Sequence, residues 1–171
     1  MGRRECNRLF SSTIASGTLV RRFPTVHRIV SDKGTIRTSP TDYDDNYATC
    51  AETYATVRIY TGKNAPELVT AALRLTPSRL LNQESDTRPN GWLLSSKGAI
   101  DSLDVRRHVD WLLERIVDKR AELSSLQSEP GVWMDVFCYW RSTQGQGGPA
   151  LSPKQMKTLA DLNLTIGFDC Y

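Results

Sequence analysis

The loop Thr143-Gln-Gly-Gln-Gly-Gly-Pro149 sets three glycines, Gly145, Gly147 and Gly148, just ahead of a helix start at Ser152-Pro153. Unhindered backbone N–H groups before a helix N-terminus are the parts of an anion cradle. A phosphate-binding P-loop, however, carries Gly-Lys-Ser/Thr where its helix begins. Here Pro149 follows Gly148 and removes a donor, and Lys154 falls inside the helix. Two readings stay open for this loop: a plain connection, or a site for a small anion.

Asp135 and Asp169 could work as paired carboxylates in general acid and base chemistry if their strands are neighbours. Any two acids on adjacent strands would meet that condition. No serine sits in a nucleophile elbow, and His108, between Arg107 and Val109, reads as an exposed surface residue. The cysteines (Cys6, Cys50, Cys138, Cys170) and histidines (His27, His108) show neither Cys-x-x-Cys nor His-x-x-x-His spacing, so neither a metal nor another cofactor is implied. Cys138 and Cys170 fall in the apolar phase of two predicted strands and read as core. The balance leans against an enzyme.

Charge narrows the partners further. Of the 22 basic and 19 acidic residues, six arginines and one acid lie in residues 1–31, which leaves 16 basic against 18 acidic residues thereafter. The basic character therefore belongs to an Arg- and Ser-rich tail and not to the folded part, the reverse of a phosphate-binding footprint. Nucleic acid is accordingly not the expected partner. Arg106-Arg107 and Lys119-Arg120 are interleaved with Asp104, Asp110, Glu114 and Asp118, which reads as a solvated face with local ion pairs. No apolar run approaches the length of a membrane span, and reduced thiols fit the cytoplasm.

These residues need elements to hold them, and 171 residues at 39% apolar and 24% charged content suffice for one self-supporting core. Residues 1–50 read as a poorly ordered extension, with a strand or hairpin around Leu19-Val20 and Val26 to Val30 as the ordered alternative. Pro40 to Glu52 is turn-rich and reads as a linker, and residues 51–171 read as one domain. Tyr54 to Tyr60 alternates as a strand covered on one side. Pro66 suits a helix start, with Leu68, Ala71, Ala72 and Leu75 as its stripe. Gly91 to Ser95 predicts a second strand after an irregular stretch from Ser78 to Asn90.

From Leu103 to Leu126 apolar residues recur at three-and-four spacing, which predicts a long amphipathic helix. Val132 to Trp140, rich in aromatic and β-branched residues, predicts a central strand. Ser152-Pro-Lys-Gln155 carries a capping box for the last helix, and Leu164 to Tyr171 alternates as the closing strand. The order β-α-β-α-β-α-β predicts an α/β chain of the two-layer α+β type: a mixed sheet of about four strands with three helices mainly on one face.

Strict alternation then puts Tyr54, Arg58, Tyr60, Trp133, Asp135, Phe137, Tyr139, Asp169 and Tyr171 together on the sheet face turned away from the helices. Rings interleaved with a few charges suit an interface with another protein or a ligand. The competing reading makes them a second core layer under the first 50 residues or the loop Ser78 to Asn90, with Arg58 paired to Asp135 or Asp169.

Several of these motifs together resemble the bacterial domain of unknown function numbered 4279. They are Pro66-Glu67 after an opening strand, Gly91-Trp92 in the second, the long helix, Gln146-Gly147-Gly148, Leu151-Ser152-Pro153, and the final Phe168-Asp-Cys-Tyr171. The resemblance covers roughly residues 54–171. It implies a bacterial cytoplasmic protein and assigns no activity. The expectation is a non-catalytic protein-binding module of the immunity or accessory type using Arg58, Asp135, Phe137, Tyr139, Asp169 and Tyr171. The alternative is a domain that binds a small ligand or anion through Gly145, Gly147 and Gly148, with enzymatic activity open.

Overall fold

The computed structural model describes residues 42–82 and 89–171. The expectations for residues 1–41, including the strand or hairpin near Val26, lie outside the described residues. Strand β1 (Cys50–Gly62) is longer than its predicted core and forms the middle of the sheet. Helix α1 (Glu67–Leu73), strand β2 (Arg79–Leu81) and strand β3 (Asn90–Ser95) follow. Helix α2 (Val105–Ile116), a 3₁₀ turn (Val117–Lys119) and helix α3 (Arg120–Ser128) lead to strand β4 (Trp133–Ser142), helix α4 (Pro153–Asp161) and strand β5 (Thr165–Cys170).

The sheet order is β2-β3-β1-β4-β5, antiparallel throughout except for the parallel β4–β5 pair. The mixed α+β class is as expected. The described residues hold five strands where four were expected, because β2, paired to β3 by Arg79↔Leu93 and Leu81↔Gly91, is too short to show a period in sequence. The 3₁₀ turn divides the expected long helix and leaves Val117 exposed, so that Leu123 and Leu126 on α3 can reach the core.

The helical phase expected on α2 is the observed one, whereas that of α1 is shifted. Val69 and Leu73 are the fully buried residues of α1, while Leu68, Ala72 and Leu75 pack at its flank. The predicted capping box on α4 is present. Ser152 Oγ accepts from the Gln155 amide at 3.2 Å, and Gln155 Oε1 accepts from the Ser152 amide at 2.9 Å. The Gln155 side-chain amide also donates to the Arg106 carbonyl at 2.7 Å and ties α4 to α2.

One layer of side chains joins helices to sheet. Ala55, Val57 and Ile59 of β1, Trp92 and Leu94 of β3, and Val136 and Cys138 of β4 meet Val109, Leu112 and Ile116 of α2. Area removed from water by such apolar groups is the main source of stability. The opposite face of the sheet carries no helix among the described residues.

The polar segment before β1 is held against α2. The Asp44 amide donates to the α2 N-cap carboxylate of Asp104 at 2.9 Å, the Leu103 amide to the Asp45 carbonyl at 3.0 Å, and Tyr43 Oη to Asp110 at 2.7 Å. Arg107 pairs with Asp45. Asp104 is buried, which by itself would raise its pKa, yet the Arg106 guanidinium and the Asp44 and Arg106 amides bring the net value below the usual carboxylate range.

Candidate functional site

Pairing register brings the expected residues together on the helix-free face. Tyr54 lies opposite Tyr139, which lies beside Asp169; Arg58 lies opposite Asp135, and Tyr60 opposite Trp133. Tyr54 and Tyr60 stand six residues apart on β1, so the ring-bearing strip runs for about 20 Å.

Its centre is the Arg58–Asp135 pair. The guanidinium donates from Nε at 2.8 Å and from Nη2 at 2.5 Å, a two-pronged geometry that fixes both side chains. Asp135 is buried and Arg58 about one-quarter exposed. The guanidinium lies over Phe137 at 4.3 Å from the ring centroid, with Trp133 at 5.7 Å and Tyr60 at 6.0 Å. Hydrogen bonding to Asp135 raises the Arg58 pKa further above its ordinary value, so the group is a permanent cation clamped among rings.

Ring pairs flank this centre on both sides. Tyr60 stacks on Trp133 at 5.2 Å, while Tyr54 stacks on Tyr139 at 4.9 Å and Tyr139 meets Tyr171 at 5.5 Å. Tyr171 Oη donates to Asp169 at 2.8 Å, which raises the phenol pKa. Trp133 keeps 52% of its surface and Tyr171 66% in contact with solvent.

Three further residues of this surface escaped the sequence reading. Glu52 accepts from Lys97 at 3.0 Å and lies 3.6 Å from Arg141, and Lys97 sits 4.7 Å from the Tyr54 ring centroid. Extending the β1 alternation back from Tyr54 would have reached Glu52, and extending β4 from Tyr139 would have reached Arg141. Lys97 lies beyond β3 and left no such signal. Residues 42–45 are bonded to α2 and its N-cap, Ala48 and Thr49 to Thr143 after β4, and Arg79 to Leu81 extend the sheet edge. None of these segments therefore forms the covering layer that the competing reading required; residues 1–41 and 83–88 lie outside the described residues.

The glycine loop lies at the end of β4, away from the Arg58 centre. Ser142 Oγ accepts from the Gln144 amide at 3.2 Å and from the Gln146 amide at 3.0 Å, so two loop donors are turned inward on a side chain. Gly147 has φ +82° and passes so close to Thr49 that a Cβ would meet the threonine hydroxyl at 2.3 Å. Both facts make the glycine a packing necessity.

Two sequence readings need correction. His108 is 1% exposed rather than on the surface. It lies three residues after Val105 and four before Leu112, on the buried stripe, and its charged neighbours Arg106 and Arg107 disguised that phase. Its Nε2–H donates to the Ser102 carbonyl at 2.9 Å, which leaves Nδ1 to accept from Ser96 Oγ at 2.8 Å. Ser96 is itself fully buried and accepts from the Ala55 amide at 2.9 Å, so this Ser–His contact joins α2 to β1. Cys170 is exposed, unlike the buried Cys138, because the apolar phase of β5 loses its helix cover towards its end.

Comparison with known families settles membership. The family model described as a domain of unknown function (DUF4279) matches residues 51–171. The chain belongs to the DUF4279 family. No curated protein and no solved structure matches it. In this DUF4279 chain no described helix is long and apolar enough to cross a membrane.

Proposed function

We propose that this DUF4279 chain is a non-catalytic binding module of a bacterial cytoplasmic protein, and that the helix-free sheet face takes up a partner protein. The observation that carries this reading is Trp133: a half-exposed indole stacked on Tyr60 beside a guanidinium already fixed by Asp135. Rings held rigid before contact lose little conformational freedom on binding, which is why Trp, Tyr and Arg dominate interface energetics. Arg58, Lys97 and Arg141 are each held by a carboxylate of the same surface. That arrangement suits an apolar, ring-bearing stretch of protein better than a phosphate backbone.

The test uses the full chain as bait in a lysate of its source organism, beside Trp133→Ala/Tyr139→Ala and a helix-side control, Lys157→Ala. A stoichiometric protein retained by wild type and control, and at least tenfold weaker with the folded double variant, is the expected result. Equal retention by the double variant, or a wild type that carries no protein, overturns the reading.

A further inference from the structure

The sheet ends in two unlike edges. Strand β2 is three residues long and bears Arg79, whereas β5 runs six residues, Thr-Ile-Gly-Phe-Asp-Cys, with Asp169 as its one charge. Short length, lysine, proline and bulges are the usual protections of an edge strand, and the free side of β5 has none of them. Among the described residues nothing pairs with it. Three of the six large apolar side chains exposed in the described residues lie on or next to β5: Phe168, Tyr171, and Met156 on the helix leading into it.

We propose that this edge pairs with β5 of a second copy of the chain, antiparallel about a two-fold axis at Gly167, so that two sheets join into one of ten strands. The sequence is self-complementary in that register. Ile166 faces Phe168 of the other copy and Leu164 faces Cys170, all on the helix side. Thr165 faces Asp169, and Gly167 faces itself, on the opposite side. Apolar meets apolar, polar meets polar, and no like charges are opposed. A Cβ at Gly167 would meet nothing in the single chain, so the absence of a side chain there answers no need within one copy, and it allows close approach at the axis. The pairing is independent of any partner on the helix-free face.

Sedimentation velocity of the full chain, from about 1 µM to several hundred micromolar, tests the idea. The expected result is a reversible monomer–dimer equilibrium. Phe168→Lys sets an ammonium against Ile166 twice over and should weaken dimerisation at least tenfold, with the circular dichroism spectrum unchanged. Thr165→Lys places an ammonium opposite Asp169 at both ends of the pairing and should tighten it by about fivefold. A wild type monomeric at every concentration overturns the proposal. So does a dimer indifferent to Phe168→Lys, and one that Thr165→Lys leaves unchanged or weaker overturns the Gly167-centred register.

Discussion

Trp92 and Trp133 flank the same end of β1, on β3 and β4, and meet opposite fates. Trp92 pairs with Ile59 and points under the helices, where it is fully buried and its indole N–H donates to Thr70 Oγ1 at 3.0 Å. Trp133 pairs with Tyr60 and points to the other face, where half its surface stays in solvent. A one-residue change of phase along a strand decides which side a side chain serves. One layer supports the fold, and the other spends large rings where they add little to it.

The sharpest way to break that contrast is to truncate both indoles. Trp92→Ala removes a buried ring from a close-packed layer and should cost about 3–5 kcal/mol of unfolding free energy. Trp133→Ala should cost less than about 1 kcal/mol. Urea denaturation of the two variants beside wild type measures the difference. Comparable losses would mean that the helix-free face is structurally as necessary as the covered one.

A smaller effect sits at the centre of the ring-bearing face. Replacing Arg58 by Met leaves the Asp135 carboxylate buried without its cation, whereas replacing Asp135 by Asn leaves a guanidinium that can turn towards water. Arg58→Met should therefore be the more damaging, at about 2 kcal/mol against about 1 kcal/mol. The same denaturation series checks the order. The reverse order would show that Asp135 serves the fold through contacts other than Arg58.

The same contrast explains what can be read from the residues alone. Period-two alternation on β1 and β4 reveals the ring-bearing face because both strands are long and, among the described residues, covered by helices on one side only. β2 offers three residues and no period. His108 escapes because its neighbours Arg106 and Arg107 outweigh its place on the Val105–Leu112 stripe, and Cys170 because alternation gives a face without saying how far the helices cover it. Pairing of Arg58 with Asp135 is one of two choices that the pattern allows. The strand order that selects it is not legible, since the two residues lie 77 positions apart in sequence and nothing local encodes the adjacency of β1 and β4.

The mildest perturbation acts on the covered layer and leaves the rings untouched. Burial holds the His108 imidazole below its ordinary pKa, against the opposing pull of the Ser102 carbonyl and the Asp104 carboxylate. A base depressed in the folded state takes up its proton first in the unfolded chain. Its contribution to stability is thus complete above the unfolded value near 6.5 and is lost as pH falls from there towards the folded value. Unfolding free energy should decline as pH falls below about 6.5, by at most about 1.4 kcal/mol per pH unit for a single proton. His108→Gln, less stable at pH 7.5, should lose that decline, so the two curves converge on acidification. Parallel curves would mean that His108 takes up its proton over the same pH range in the folded and unfolded chains, and the acid sensitivity would then belong to groups outside the α2–β1 contact.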